Sequence, residues 1–494
     1  MTTSATESLW LATVEPTSYP PLPGDLEVDV AVIGGGITGL TTALLLKRDG
    51  ARVAVLEARR VGSGVTGCTT AKVSALQQTV YSAIRRHHGA EGAAVYAEAS
   101  LAAVDLVAAL ATEEGIDCDL EMRPAITYAA SDAERSSIED ELEAATEAEL
   151  PVTLVEDADL PFPTSGAVRL DDQVQLHPVR YVQGLAAAVD GDGCAVYEDT
   201  RAAALGSGGV ETERGAVAAQ QVVDAAHYPL FDRGLFFTRL EPARSYCIAA
   251  RLRGGAAPRP MAISAGGTTR SLRSAGDLLV VGGEGHPAGS TEATPERFER
   301  LEAFAREHFD LAAVIHRWSA QDPVPYDHLP LIGRYAPGAG DLYVASGFAK
   351  WGLTSGTFAA RILSDLIAGR DNPWAGRFSP ARVTLSGTPK VAQLGARFAT
   401  DFVVDRLKPG EAEAAEDVPP GEARIVGAVA KKGVFRDDDG TLHAVSLRCT
   451  HLGCLLRYNA AERSWDCPCH GSRFDVDGSV LEGPATSPLE TREP

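Results

Sequence analysis

Two short runs near the C-terminus constrain this chain more than anything else in it: Cys449-Thr-His451-Leu-Gly-Cys454 and Cys467-Pro-Cys469-His470-Gly-Ser472. Each pairs a thiol with an imidazole at loop spacing, and fifteen residues separate His451 from Cys467. From about residue 422 onward, short alternating runs punctuated by Asp439-Gly440 and Asp477-Gly478 fit a small all-β barrel that holds two such loops side by side. Two thiolates and two imidazoles suit a [2Fe–2S] cluster, with Cys449 and Cys467 on one iron and His451 and His470 on the other. Neutral imidazoles in place of two thiolates remove negative charge, which raises the reduction potential into the range of roughly −150 to +300 mV. Such a site accepts electrons. A structural zinc site is the competing reading, since Cys and His at short spacing also bind zinc. Cys454 and Cys469 are left over, one in each loop.

The six positions together resemble the Rieske iron–sulfur family, in particular its disulfide-containing members from quinol-oxidising complexes. The resemblance implies a Cys454–Cys469 disulfide between the loops, and Ser472 as a hydrogen-bond donor to a cluster sulfur. Phe474 stands where high-potential members carry tyrosine. Without that hydroxyl the resemblance implies a potential lower in the range.

A second cofactor site stands near the N-terminus. Asp29-Val-Ala-Val-Ile33 reads as a buried strand and is followed by Gly34-Gly-Gly36-Ile37-Thr38-Gly39. Leu40, Ala43, Leu44 and Lys47 then fall at helical spacing, Gly50 ends the helix, and Arg52-Val-Ala-Val-Leu56 is a second strand with Glu57 and Ala58 at its end. This is a complete βαβ unit. Gly34 permits the tight turn, Gly36 lets the backbone approach a pyrophosphate, and Gly39 lets helix and sheet pack closely. The helix N-terminus offers its N–H groups to phosphate oxygens. Glu57 is placed to hold ribose hydroxyls and to repel a 2′-phosphate.

Two further stretches resemble the flavin side of the D-amino-acid oxidase-like superfamily. One is Val61-Gly-Ser-Gly-Val-Thr-Gly67 with Thr69-Thr70-Ala-Lys72. The other is Val344-Ala-Ser-Gly-Phe348-Ala-Lys350-Trp351-Gly352-Leu353-Thr354-Ser-Gly356, ahead of an apolar helix, 359–367. Val222 to Pro229, Val281 to Glu284 and Pro330 to Gly333 fit the same resemblance, which covers nearly all of the first 380 residues. It implies FAD, with the late helix N-terminus beside the flavin ring. No Cys or His stands at the late turn, so the FAD is expected to be non-covalent. Thr354 occupies the place where many members carry an oxygen-activating lysine, which favours a dehydrogenase over an oxidase. Joined to a Rieske tail, the chain resembles a bacterial group of FAD-dependent oxidoreductases with fused Rieske domains.

The expected fold class is α/β. A Rossmann-type FAD-binding part (25–85, 150–232 and 320–385) interleaves with an antiparallel-sheet substrate part (86–149 and 233–319). A helical linker follows over 386–420, and an all-β Rieske domain over 421–494. In the linker, Val391, Leu394, Phe398 and Phe402 form an apolar stripe. Glu411 to Asp417 with Pro419-Pro420 reads as a flexible joint. The chain carries 45 Lys plus Arg against 67 Asp plus Glu, a net charge of −22. That balance argues against nucleic-acid partners and anionic membranes. No run approaching eighteen apolar residues is evident, and residues 1–23 lack a basic end and an apolar core. A cytoplasmic protein is expected.

A flavin takes two electrons from a C–H bond and a Rieske cluster takes one at a time. Together they imply a relay from an amine or amino-acid substrate through FAD and cluster to an external electron acceptor. Arg273, as a bidentate carboxylate clamp, Lys350 and Trp351 are the expected catalytic residues; Arg270 and Tyr246 are further pocket candidates. An electron-transfer or redox-sensing protein driven by NAD(P)H or by a partner is the alternative. A Rieske oxygenase would need two histidines and a carboxylate on a mononuclear iron, a pattern the sequence does not offer.

Overall fold

In the computed structural model the described residues are 7–206, 208–231, 236–290, 293–336, 338, 340–384, 393–395, 411–412, 414–427 and 431–493. Strand Leu26–Ile33, helix Ile37–Arg48 and strand Val53–Leu56 form the expected βαβ unit. From Val30 to Ile33 and from Val53 to Leu56 its strands are apolar and buried because both faces are covered, as in parallel sheets generally. They lie at the centre of an eight-stranded sheet. Ala31 pairs in parallel with Val222 on one side and with Ala54 on the other. Strand Leu342–Ser346 extends the sheet beyond Gly215–Asp224, and Ala195–Tyr197 closes the other flank.

A nine-stranded sheet stands against this layer. Its backbone is the long antiparallel set Leu311–Pro325, Leu240–Leu252, Leu278–Pro287 and Arg270–Ala275. The segment 150–232, expected wholly with the FAD-binding part, divides between the sheets. Thr153–Val155 and Ala167–Gln175 pair in the nine-stranded sheet, whereas Ala195–Tyr197 and Gly215–Asp224 belong to the other. Strand 167–175 is buried at both ends and opens only at the adjacent Asp171 and Asp172, where its pairing with 121–128 shifts register and Asp172 takes φ 58.

Helix Val80–Glu113 also departs from expectation. By length and composition it is apolar enough to cross a bilayer. Its apolar face is instead spent inside the fold, where Tyr96, Val104, Val107 and Leu110 are buried. Gly89, at φ 70, breaks it into two helical pieces.

The C-terminal region is two small antiparallel sheets, Ala423–Val426 to Leu442–Ser446 and Arg457–Asn459 to Val480–Glu482. They enclose Trp465, Phe474, Leu447 and Leu456. Of the linker stripe, Val391, Phe398 and Phe402 lie outside the described residues, and Leu394 is buried. The described part of the acidic joint is packed, not loose. The Glu411 N–H donates to the Ile425 carbonyl and Val418 is fully buried, because Ala415 and Val418 supply the apolar cover that the first Rieske sheet needs.

Candidate active site and cluster centre

The glycine turn, the 57–70 segment and the late turn open onto one cavity of about 580 Å³. The residues present fit a dinucleotide. Gly34 sits at φ 107, where a Cβ would meet the Ala225 carbonyl oxygen at 2.7 Å, and a Cβ on Gly39 would meet the Gly34 oxygen at 2.0 Å. These are the close approaches the motif demands. Glu57 lies at the end of its strand, where Oε2 accepts the Gly35 N–H at 2.7 Å and Oε1 the Arg59 N–H at 2.9 Å. Burial raises its carboxyl above the usual range against those two bonds. Of the expected cofactor residues, Gly34, Gly36, Ile37, Thr38, Glu57, Ala58, Thr70, Gly352 and Leu353 line the cavity. Gly39 does not; it serves packing. Thr354 does not either: fully buried, its hydroxyl accepts the Ser74 N–H at 2.9 Å and ties the late helix to the segment after Lys72.

Helix Gly352–Ile367 points its N-terminus at the cavity and crosses the first helix at Gly356, where a Cβ would meet Thr38 Oγ1 at 2.4 Å. The turn before it is held in a left-handed conformation at two non-glycine residues, Ala349 (φ 48) and Lys350 (φ 77). Such backbone costs of order 1–3 kcal/mol per residue and concentrates at functional sites. Lys350 and Trp351 both line the cavity. Burial lowers the Lys350 ammonium, with Asp322 acting in the opposite sense.

Arg273 is a correction to the sequence reading. Its guanidinium does not line the cavity. It donates to the carbonyls of Thr70, Ala71, Leu176 and Ser274 and stacks over Trp10 at 5.1 Å. With Nε and one terminal nitrogen on main-chain oxygens it fixes the flavin-side segment and cannot present a two-nitrogen fork to a carboxylate. Arg270 pairs with Glu284 at 2.8 Å, and the Tyr246 hydroxyl meets His286 at 3.1 Å; neither lines the cavity.

Lys72 is the cation the sequence reading passed over. It lines the cavity, 5% exposed, and its Nζ donates to the Ala262 carbonyl and the Ser271 hydroxyl at 2.7 Å each. Burial, then Arg273, lowers its ammonium to about 7. The signal was available: a lysine inside an otherwise apolar and hydroxylic run, Thr69 to Ala75. Around it the nine-stranded sheet presents small side chains, Ser245, Cys247, Ser271 and Gly282, which leave room above them.

In the C-terminal domain the four expected ligands converge. Cys449 and Cys467 are buried and hydrogen-bonded to each other, which lowers the Cys449 thiol to about 7 and raises that of Cys467. The rings of His451 and His470 stand 4.9 Å apart, edge to face. Burial, then His451, lowers His470 to about 3, so its imidazole is neutral, the form that ligates metal. Cys454 and Cys469 form a disulfide, and the sulfurs of Cys454, Cys467 and Cys469 lie within 4.8 Å of one another. The Ser472 hydroxyl hydrogen-bonds Cys449 and accepts the Ala485 N–H at 3.0 Å. Two thiols, two imidazoles and a separate disulfide fit a [2Fe–2S] cluster.

The ligand loop 467–472 is seated on the flavin domain. Gln321 Nε2 donates to the Gly471 carbonyl at 2.7 Å, and the Tyr228 ring stands 6.1 Å from that of His470. His227, Tyr228 and Gln321 are themselves cavity residues. Behind them, fully buried Arg244 pairs with Glu462 at 2.8 Å and Glu482 at 3.2 Å across the interface.

Residues 29–366 match the family of FAD dependent oxidoreductases known as DAO, and residues 409–493 match the Rieske [2Fe-2S] domain. A protein of Bacillus subtilis (strain 168) named for a Rieske 2Fe-2S iron–sulfur protein, YhfW, is 35% identical over 98% of this chain and 97% of its own. The cytochrome b6-f complex iron–sulfur subunit of Chlorobaculum thiosulfatiphilum is 38% identical over 18% of this chain and 46% of its own. Among solved structures, glycine oxidase from Geobacillus kaustophilus superposes with a TM-score of 0.61 at 21% identity, over 72% of this chain and 99% of that one. L-proline dehydrogenase from P. horikoshii gives 0.60 at 20% identity, over 73% and 98%. These two share the fold. The chain belongs to the DAO family of FAD-dependent oxidoreductases and carries a Rieske [2Fe–2S] domain at its C-terminus.

Proposed function

We propose that the protein dehydrogenates an amino acid or related amine and passes the electrons through its Rieske cluster to an external acceptor. The observation that carries this reading is the seating of the cluster-ligand loop on residues that also line the FAD cavity, through Gln321, Gly471, Tyr228 and His470. Bound FAD supplies the two-electron oxidation of a C–H bond beside nitrogen, and the cluster supplies a one-electron outlet.

The remaining work falls to the chain. Lys350, whose ammonium form Asp322 supports, stands on the cavity wall, which favours a substrate with a carboxylate over a simple amine. The small side chains of the nine-stranded sheet give that substrate its space. Lys72, lowered to about 7, exchanges a proton near neutral pH, where an ammonium substrate must lose one before oxidation. The names of the fold relatives, glycine oxidase and L-proline dehydrogenase, support the same substrate class. A dehydrogenase is favoured over an oxidase because the docked cluster offers the electrons a route other than oxygen. The test is a panel of amino acids and matched decarboxylated amines, added anaerobically while flavin bleaching is followed. Bleaching by amino acids and not by their decarboxylated partners is expected. No bleaching by any member of the panel would end this reading.

A further inference from the structure

We propose that the Rieske domain is also the lid of the FAD site, so that retaining the flavin requires the domain to stay docked. This rests on the family assignment and the geometry, and it holds whatever the substrate. Glu462, Arg473, Leu481, Glu482, Gly483 and Ala485 form part of the wall of the same cavity that the glycine turn lines. Arg59, two residues beyond Glu57, donates to the Leu481 carbonyl at 2.9 Å, so the lid reaches the segment where the βαβ unit receives the nucleotide.

The contact is close-fitting and its charges are buried. Gly289, at φ 63 on the flavin domain, lies so near the ligand loop that a Cβ would meet Pro468 Cα at 2.5 Å. A Cβ on Gly471 would meet Gln321 Nε2 at 2.2 Å. Arg244 and Arg473 together face Glu462, Asp466 and Glu482, with Arg473 bonded to all three acids. Arg473 keeps its acids when the interface opens, since all of them lie in the Rieske domain, whereas Arg244 loses both of its carboxylates, Glu462 and Glu482. With these residues in the wall, the docked domain holds a bound dinucleotide and its departure speeds release. By linkage, FAD in turn stabilises the docked state.

Two measurements on the full-length chain test this. The first uses deflavinated wild-type protein and needs no variant: FAD addition should slow amide hydrogen exchange across 480–485, in the Rieske domain. The second uses Gly289→Val, which wedges the interface at a position outside the cavity and outside the Rieske core. FAD release, read as recovery of free-flavin fluorescence, should be at least tenfold faster than in the wild type. The visible circular dichroism of the cluster reports that the Rieske fold persists. Unchanged exchange at 480–485 on FAD addition would overturn the proposal, as would wild-type FAD release from Gly289→Val.

Discussion

Replacing Arg244 by Met removes the cation at the centre of the domain interface while keeping much of its volume. Arg244 is fully buried and bonds Glu462, Glu482 and Ser319, while the two carboxylates are 12% and 24% exposed. Arg473 still bonds both carboxylates but must then balance Glu462, Asp466 and Glu482 alone, and breaking up a buried ion cluster in this way costs about 3–5 kcal/mol. The chain has one escape. Undocking exposes Glu462 and Glu482, which keep Arg473, but gives up the bonds from Gln321 to Gly471, Arg59 to Leu481, Arg457 to Gly289 and Ala461 to Ala293. At about 1 kcal/mol each those four bonds are worth roughly 4 kcal/mol. The two responses are therefore close in free energy, and the variant stands near the point where the Rieske domain detaches. Differential scanning calorimetry should resolve a separate Rieske transition below the main one. Adding Glu462→Gln to Arg244→Met should move that transition part of the way back, since it removes one of the excess negative charges. A single transition at the wild-type temperature, or no recovery in the double variant, would refute the reasoning.

Three further outcomes follow from particular side chains. Burial holds Lys72 at about 7 against an ordinary 10.5, so between those values the unfolded chain binds the extra proton and stability rises with pH. Wild type should therefore gain stability over Lys72→Met from pH 7 to 9.5 in urea unfolding, with a limiting slope of about 1.4 kcal/mol per pH unit; parallel profiles would contradict it. Glu57→Gln leaves one oxygen where Gly35 and Arg59 each need one, costing about 1–3 kcal/mol of loop order. FAD affinity by equilibrium dialysis should fall about tenfold or more for a loss of that size. Cys454→Ser cuts the tie between the two ligand loops, and the visible absorbance of the cluster should decay faster on warming than in the wild type.

Local signals carried most of this account. The βαβ unit was readable because its strands, its glycines and Glu57 each have a separate physical reason and all agree. The four cluster ligands were readable because their residue types and spacing admit few chemistries. Arg273 shows where such reading stops. A strand arginine near a flavin segment invites a clamp, but whether its guanidinium reaches a substrate or four carbonyls depends on segments 97 to 203 residues away in sequence. Lys72 was missed for the same reason, since its role depends on Ala262 and Ser271 across the sheet. The joint over 411–420 read as loose from its acids and prolines, while Ala415 and Val418, the residues that pack it, carry no periodic signal. The docking of the Rieske domain was not legible at all. Its determinants, Arg244, Gly289, Gln321 and Arg457, are single residues in unrelated segments.

The most direct test of the central claim is anaerobic single turnover. Holoenzyme is mixed with a reducing amino acid, flavin absorbance is followed, and samples are frozen for EPR. The account predicts that the signal of the reduced Rieske cluster grows in as flavin reoxidises, within one turnover and without added mediator. Full bleaching of the flavin while the cluster stays oxidised would contradict it.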